Sequence, residues 1–373
     1  MAVFILNDIY FWRKKMKAYK RHRKFISIIM IFGALVLLIG CGGGGGNESF
    51  SFGPPPVPCG SWPFPPCSQQ SLSPVTHSES PPLSTETLDN WHLSAFFPSI
   101  SFNALTYGNG IFVGVGQGGT IVTSTDGANW SAQNSGTEKD LFGVGYGNGI
   151  FVAVGNDATI LTSSDGAHWT DMSLSKTYEF YGVTYGNGVF VIVGRLASGW
   201  GLSFNSPDGR NWAGPYLTND ASTLDSVVYG GNIFVAVGSG NTQIQTSPDG
   251  ATWTERYKEY NKVLNGVTYG AGRFVAVGWE GKILYSPDGA TWTNSSLPDN
   301  HYMLESVVYG GGTFVTVGRW SEIEGKIFSS SDGVNWRARY SGISNELRGI
   351  TYGNSTFVIV GNNGTIFQSE PVQ

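Results

Sequence analysis

One pair of acidic residues in this sequence could supply the two carboxyl groups of a hydrolytic site. Glu322 and Glu324 stand close together in an irregular stretch, and paired carboxyl groups could serve as the acid and the base or nucleophile of glycoside hydrolysis. An acidic loop of the same composition could equally serve solubility. The histidines beyond residue 40 add no catalytic pattern, because they stand at unrelated positions. They are His77, His92, His168 and His301.

Two of the cysteines indicate a disulfide rather than a metal site. Cys59 and Cys67 have seven residues between them, and no His or further Cys stands nearby at ligand spacing. In an oxidising compartment they are expected to form a small loop disulfide, with free thiols or an intermolecular bridge as the alternatives. The sequence therefore predicts neither a metal nor a cofactor.

The candidate residues are set in a chain that repeats itself. A Tyr-Gly pair recurs at spacings of 39, 39, 44, 40, 40 and 43 residues. Units of about 40 residues with several strands each are typical of β-propeller blades. Each unit is rich in Gly and in β-branched residues, which favour strands, and this composition excludes repeats built from pairs of helices. The tyrosines of the pairs are Tyr107, Tyr146, Tyr185, Tyr229, Tyr269, Tyr309 and Tyr352.

The unit over residues 264–292 shows the predicted strands. Strand A is expected over 264–269, strand B over 273–277 and strand C over 282–286, and Trp292 opens strand D. Strands A to C are apolar on both faces, as expected when blades stack face to face. In three units the A–B turn is Gly-Asn-Gly, whose residues tolerate the positive φ of a tight hairpin.

The turn between strands C and D is a second repeated motif, Ser-x-Asp-Gly-x-x-Trp, which we call the Asp-Gly turn. Its Asp can bond the backbone that follows, and its Gly suits the left-handed conformation. We expect these residues to be structural, with each Trp packed between blades. The aspartates are Asp126, Asp165, Asp208, Asp249, Asp288 and Asp332, and a tryptophan follows each of them four residues later.

The seventh unit lacks its own outer strand, because the chain reaches Pro371 where an Asp-Gly turn should begin. An additional tryptophan, Trp91, precedes the first unit. We predict that residues near 88–97 supply the missing strand, which closes the ring and hides edge strands. The predicted fold is all-β: a seven-bladed β-propeller of four-stranded antiparallel blades over residues 88–373, closed by an N-terminal strand.

The Asp-Gly turn resembles the Asp-box, or BNR, repeat of sialidase-superfamily propellers. The fuller pattern L-x-G-V-x-Y…V-G-x-x-G-x-I-x-x-S-x-D-G-x-x-W is similar to the photosystem II assembly-factor propellers and their bacterial relatives, over about residues 88–373. Six such turns in register support the fold. They carry little information about function, since one fold hosts many activities. In these families the Asp-box residues face away from any site.

The sialidase resemblance would imply an arginine cluster, a Tyr–Glu nucleophile pair and an acidic Asp. No Arg-Ile-Pro motif precedes the first blade, and the arginines of the repeat region share no pattern. We therefore expect no enzyme activity, with a divergent glycoside hydrolase as the alternative. The arginines are Arg195, Arg210, Arg256, Arg273, Arg319, Arg337, Arg339 and Arg348.

Strand A is expected to be innermost, as in the propellers that this chain resembles. Two residues before its Val, Leu or Ile, one position varies between units, and the next position is small. Mixed polar and aromatic groups at a channel mouth could bind a small ligand or the end of a peptide. The alternative is a water-filled channel whose lining residues vary without a functional reason. The variable residues are Asn103, Phe142, Tyr181, Asp225, Asn265, Glu305 and Arg348.

The B–C loops and D–A links are predicted to share one face of the ring, which we call the irregular face. The repeated A–B and C–D turns occupy the other face. Aromatic and charged residues on variable loops of a rigid frame are typical of binding surfaces, although solvated loops would look the same. The loop candidates are Arg195, Trp200, Trp279, Glu280, Arg319 and Trp320.

Residues 1–40 have the pattern of an export signal. The apolar run 25–39 is short for a membrane span. Its end, Leu-Ile-Gly-Cys, resembles a bacterial lipobox, which implies that Cys41 is lipidated. Gly42 in place of Asp implies the outer membrane, by resemblance to Gram-negative sorting. An uncleaved membrane anchor is the alternative, and Met16 is an alternative start.

Charge and composition describe the part of the chain beyond the signal. The chain has 22 Lys+Arg and 27 Asp+Glu; residues 1–40 hold eight basic and one acidic residue, which leaves 14 basic and 26 acidic. This balance disfavours nucleic acid, whose phosphates need the opposite sign. Residues 41–87 are rich in Gly, Pro and Ser, which predicts an extended tether; the lipobox resemblance implies that this tether is lipidated at Cys41.

Together these features predict a binding or assembly module of the cell envelope, an outer-membrane lipoprotein that faces the periplasm or the exterior. We expect a monomer that engages an envelope protein or a glycan through the irregular face. A structural surface lipoprotein is a further alternative. An acid pair at the channel mouth would favour a hydrolase, whereas exposed aromatic residues there would favour a binder.

Overall fold

The repeat prediction is confirmed by the computed structural model, which describes residues 88–218, 222–321, 324–339 and 342–372. These residues form seven sheets of four antiparallel strands each, arranged in a ring. The fold is therefore a seven-bladed β-propeller. The predicted signal and tether lie outside the described residues, with Cys41, Cys59 and Cys67, and so does Glu322.

The first three blades follow one another along the chain. Blade 1 holds β2 (Phe102–Gly108), β3 (Ile111–Gly116), β4 (Ile121–Ser124) and β5 (Ser131–Gln133). Blade 2 holds β6 (Leu141–Gly147), β7 (Ile150–Gly155), β8 (Ile160–Ser163) and β9 (Thr170–Asp171). Blade 3 holds β10 (Glu179–Gly186), β11 (Val189–Arg195), β12 (Gly201–Ser206) and β13 (Ala213–Leu217).

The next three blades repeat the same order. Blade 4 holds β14 (Thr223–Gly230), β15 (Ile233–Ser239), β16 (Ile244–Ser247) and β17 (Thr254–Tyr257). Blade 5 holds β18 (Leu264–Gly270), β19 (Arg273–Gly278), β20 (Ile283–Ser286) and β21 (Thr293–Asn294). Blade 6 holds β22 (Tyr302–Gly310), β23 (Thr313–Trp320), β24 (Glu324–Ser330) and β25 (Arg337–Arg339).

Blade 7 combines both ends of the described chain. It holds β26 (Leu347–Gly353), β27 (Thr356–Gly361), β28 (Thr365–Ser369) and β1 (Trp91–Phe96). β1 pairs antiparallel with β28, from Trp91 opposite Ser369 to Phe96 opposite Thr365. The ring is therefore closed by the N-terminal strand, as predicted. In blade 5 the predicted bounds of strands A to D differ from the observed ones by one residue at most.

A ring of tyrosine–glycine contacts holds the seven A strands together. Each tyrosine of the repeated pair packs on the glycine of the preceding blade, and Tyr107 of blade 1 packs on Gly353 of blade 7. A Cβ at Gly353 would lie 2.2 Å from the Tyr107 ring, so no larger residue fits. The glycines are Gly108, Gly147, Gly186, Gly230, Gly270, Gly310 and Gly353.

The A–B turns have the left-handed geometry that their residues allow. In blade 1, Asn109 has φ 49° and Gly110 has φ 78°, which matches the two-residue turn that suits twisted hairpins. In the described ranges, three B–C connections contain a short 3-10 turn, at Gln117–Gly119, Asn156–Ala158 and Asn362–Gly364. Among the described residues, no helix is long and apolar enough to cross a membrane.

Candidate functional site

A β-bulge in every strand A turns one residue towards the central channel. On β2, pairing passes from Phe102 directly to Ala104, so Asn103 has no partner on β3. The same shift occurs in the other six A strands. A bulge leaves one residue unpaired and re-aims its side chain. The bulged residues are the seven that vary between units, from Asn103 to Arg348.

The residue after each bulge is small because the neighbouring A strand approaches closely. A Cβ at Gly143 would lie 2.6 Å from the carbonyl oxygen of Tyr181. The residue before each bulge is instead a fully buried Leu or Phe that packs inside the blade. Three consecutive positions thus point to the blade core, to the channel and to the next blade.

The seven bulged residues line one cavity of about 170 Å³ at the irregular face. Its wall is mixed: two acids, one arginine, two amides and two aromatic rings. Because every blade supplies one residue, the side chains converge from all sides. The lining residues are Asn103, Phe142, Tyr181, Asp225, Asn265, Glu305 and Arg348.

The two asparagines also tie neighbouring blades together. Asn103 Nδ2 donates to the carbonyl oxygen of Leu141 at 2.8 Å, and Asn265 Nδ2 donates to that of Leu304 at 2.8 Å. Each acceptor belongs to strand A of the next blade. Both amide groups therefore have a structural role in addition to lining the cavity.

On one side of the cavity, Glu346 forms ion pairs with two arginines. Arg348 Nη2 and Arg319 Nε each lie 3.3 Å from a carboxyl oxygen of Glu346, and Asn362 Nδ2 also donates to Glu346. Arg348 Nη1 donates to Asn103 Oδ1 at 2.9 Å. Arg319, predicted as a loop candidate, thus turns inwards and joins a network that links blades 6, 7 and 1.

The opposite side has a second pairing. Arg195 Nη2 lies 2.5 Å from Glu179 Oε2, and the Tyr181 hydroxyl donates to the same oxygen at 2.5 Å. The guanidinium also lies over the Tyr181 ring, 5.5 Å from its centre. The Tyr181 and Phe142 rings stand 5.5 Å apart, so this wall is rigid and partly apolar. Burial and the bond to Glu179 raise the pKa of Tyr181.

Two lining carboxyl groups stay outside these pairs. Among the described residues, Asp225 and Glu305 form no ion pair; Asp225 accepts one weak hydrogen bond from Thr223 at 3.3 Å. Burial raises the pKa of Asp225 to about 6, against the attraction of Arg195. Burial, helped by repulsion from Glu346, raises the pKa of Glu305 to about 7.

The rim of the irregular face carries exposed aromatic residues. Trp200, Trp279 and Trp320 lie on B–C loops or strand ends of blades 3, 5 and 6, and Tyr260 lies on the link between blades 4 and 5. The Trp279 backbone bridges to Met303, near the start of β22 in blade 6. Trp320 Nε1 donates to Asp299 Oδ2 at 3.0 Å, which holds its ring on the rim.

The remaining acidic loop candidates are solvated. Glu280 has a left-handed backbone with φ 59° and forms an exposed ion pair with Lys262. Glu324 forms an exposed ion pair with Lys326. Among the described residues, no group of three or more His, Cys, Asp or Glu could hold a metal ion.

The Asp-Gly turns lie on the face opposite the cavity and use their aspartates locally. In blade 5, Asp288 Oδ1 accepts hydrogen bonds from the amides of Ala290 and Thr291 at 2.9 Å. These backbone bonds lower the pKa of Asp288. The Trp292 indole donates to Gly289 O at 2.9 Å, so both residues stabilise the turn.

Neither Glu346 nor Glu179 was predicted from the sequence as a site residue. Both stand two residues before a bulged residue, the position that Asp140 occupies in blade 2. The acidic residues at this position would have been noticed if the seven units had been aligned and the position compared among them.

No family model matches the sequence, and no curated protein matches it either. Solved structures share the fold. A structure of YCF48 bound to a D1 peptide is 17% identical, covers 75% of this chain and 94% of that chain, and has a TM-score of 0.59. Virginiamycin B lyase from Staphylococcus aureus is 14% identical, covers 75% and 99%, and has a TM-score of 0.65.

A third similar structure, the Pan2 WD40 domain of Neurospora crassa, is 9% identical and covers 77% of this chain and 97% of that chain, with a TM-score of 0.60. At identities this low the likeness concerns the fold. Seven-bladed propellers of differing function thus share the architecture of this chain.

Proposed function

We propose that this protein is a non-catalytic binding module that holds an extended protein segment on its irregular face, across the channel mouth. One observation carries the proposal. Of the seven large apolar side chains that are strongly exposed in the described residues, six lie at this face. They are Phe96, Trp200, Leu217, Tyr260, Trp279 and Trp320.

The composition of this rim fits a protein ligand. Tryptophan and tyrosine are enriched at protein interfaces and often carry much of the binding energy. The opposite face repeats the same polar turns around the ring and, within the part of the chain that the structure describes, has none of the exposed large apolar residues. A propeller of similar fold, YCF48, has been solved with a bound D1 peptide, which supports a protein segment over a glycan.

A glycoside hydrolase is the second candidate, because Asp225 and Glu305 place two carboxyl groups in one cavity. A virginiamycin B lyase shares the fold, so the fold itself allows catalysis. The cavity volume of about 170 Å³ is below the range of roughly 300–1,000 Å³ that ligand pockets occupy. That size favours a single side chain over a sugar with its leaving group.

Recovery of a partner from the native envelope tests the proposal. The double variant Trp279→Ala, Trp320→Ala should recover about tenfold less partner than the wild type, because hot-spot tryptophans contribute ~2 kcal/mol or more. Leu93→Ala is the matched control, since Leu93 is 56% exposed but lies midway along β1, away from the rim.

Equal recovery by the double variant and the wild type, at equal melting temperatures, would rule out the rim as the binding surface. Protease treatment of the envelope extract separates the two ligand classes. A signal that survives proteolysis and disappears after glycosidase treatment identifies a glycan.

We also propose that the module is held on the outer membrane through a lipidated Cys41. The support is the Leu-Ile-Gly-Cys motif and the Gly42 that follows it. A Cys41→Ser variant should leave the membrane fraction. Membrane association that persists after signal processing contradicts lipidation.

A further inference from the structure

The three arginines at the channel mouth are all occupied by glutamates that lie outside the cavity lining. Among the described residues, no guanidinium therefore lies within ion-pair distance of a lining acid, although Arg319 and Arg348 still attract Glu305 and Arg195 attracts Asp225. Arg195 pairs with Glu179, and Arg319 and Arg348 both pair with Glu346.

Asp225 and Glu305 face the cavity without a cation of their own. With the two paired glutamates they make four carboxyl groups against three arginines, so the group carries one net negative charge when all are ionised. Enclosed, unpaired charge is unfavourable. One added positive charge would balance the site.

We propose that the channel takes up one lysine side chain of the bound segment and places its ammonium group between Asp225 and Glu305. The inference rests on the binding role proposed above and names the residue that enters the channel. It gives the mixed lining of the cavity a specific ligand.

The acceptors suit an ammonium group better than a guanidinium group. Asp225, Asn265 and Glu305 come from three consecutive blades, 4, 5 and 6. The Asn265 nitrogen donates to Leu304 O, which leaves its oxygen as a third acceptor. Lysine offers three rotatable donors to separate acceptors, whereas arginine is best matched by one carboxylate that binds both of its parallel N–H groups.

The cavity also fits the aliphatic part of lysine. Phe142 and Tyr181, on blades 2 and 3, add two aromatic rings to the lining, and lysine buries its methylene groups along such surfaces. Trp279 and Trp320 stand on the rim of blades 5 and 6, the blades that carry Asn265 and Glu305. The rest of the bound segment can therefore lie over the same sector.

Protons compete with the ammonium group. Binding requires both acids to be ionised, so affinity should rise with pH from about 6 to above 7, the raised pKa values of Asp225 and Glu305. Binding by apolar contact alone would not follow this profile. The charged groups that face Glu305 are Glu346, Arg319, Arg348 and Asp225. The groups that face Asp225 are Arg195, Thr223, Tyr181 and Glu305.

Calorimetric titration of the full chain tests the inference. The probe is Nα-acetyl-lysine methylamide at about pH 8, compared with the norleucine and arginine methylamides. We expect millimolar affinity for the lysine probe and about tenfold weaker binding of norleucine. Glu305→Gln and Asp225→Asn should each weaken lysine binding by about fivefold or more. Glu280→Gln, on the exposed rim, is the matched control.

Equal binding of lysine and norleucine, no measurable lysine binding, or unchanged affinity in Glu305→Gln would overturn the inference. Tighter binding of the arginine probe would overturn the assignment to lysine. The two proposals can fail independently. If the tryptophan variants lose partner recovery but the protein binds no lysine, the binding module stands and the lysine site is wrong. If the protein binds lysine but the tryptophan variants recover as much partner as the wild type, the lysine site stands and the proposed binding surface is wrong.

Discussion

Arg348 and Asn103 are 245 positions apart in the chain, and Arg348 Nη1 donates a hydrogen bond of 2.9 Å to Asn103 Oδ1. The bond joins blade 7 to blade 1 at the channel mouth. Asn103 donates in turn to the backbone of Leu141 in blade 2. One wall of the candidate site therefore also fastens the place where the ring closes.

Replacement of Arg348 by Met should destabilise the protein by about 1–3 kcal/mol, because it removes a charged hydrogen bond and leaves Glu346 with one arginine. Urea denaturation measures the change. Arg210→Met is the control, since Arg210 lies exposed on an Asp-Gly turn. If both variants unfold at the same urea concentration, the Arg348–Asn103 bond does not stabilise the closure.

The pH dependence of stability should report on Glu305. Its pKa is about 7 in the folded protein against an ordinary 4.5, so the folded state binds more protons between these values. The contribution of Glu305 to stability should be fully present below about pH 4.5 and be lost as pH rises through 7. Glu305→Gln should remove about 3 kcal/mol of this loss, whereas Glu280→Gln should not. Parallel melting profiles of wild type and Glu305→Gln would contradict the raised pKa.

Gln245 is a polar residue at a core position of β16. It pairs with Ala236, as Leu284 pairs with Ala276 in blade 5, and it is 1% exposed. Its Nε2 has no hydrogen-bond partner among the described residues. Gln245→Leu should therefore stabilise the protein by about 1 kcal/mol, because an unsatisfied buried donor is removed.

The reverse exchange in blade 5 serves as its control. Leu284→Gln should destabilise by about 2 kcal/mol or more, since it buries an amide in the same kind of site. Thermal unfolding of the two variants measures both effects. A lower melting temperature for Gln245→Leu would mean that the amide has a partner in solution, such as a bound water.

The N-terminal strand should be required for closure. Deletion of residues 42–80 should leave the melting temperature unchanged, whereas deletion of 42–97 removes β1 and uncovers the edge of β28. The longer deletion also removes the ion pair between Asp89 and Arg339, whose side chain is only 5% exposed. We expect the longer deletion to aggregate. Size-exclusion chromatography and thermal unfolding distinguish the outcomes, and a soluble product with the parent's melting temperature would refute closure through β1.

The structure shows both features that were expected to separate a binder from a hydrolase. Exposed tryptophans lie on the rim, and Asp225 and Glu305 lie in the channel. The size of the cavity and the pairing of the arginines favour recognition of one side chain. The predicted acid pair of the loop is less informative, because Glu324 is solvated and paired with Lys326.

Local information in the sequence was sufficient for the architecture. Each unit carries its own Tyr-Gly pair and hairpin turn, six of the seven carry an Asp-Gly turn, and these motifs act over a few residues. The number of blades, the strands, the closure through Trp91 and the seven channel positions could therefore be predicted by comparing the units with one another.

Tertiary structure decided how the channel residues interact. The bulge at each A strand depends on its pairing with strand B, and no residue type marks it. Arg195 and Arg319 follow the same Val-Gly pair as the exposed Trp279, yet both turn inwards because Glu179 and Glu346 lie within reach. These contacts join different strands or blades, so only the closed ring determines which charges are paired and leaves Asp225 and Glu305 facing the cavity.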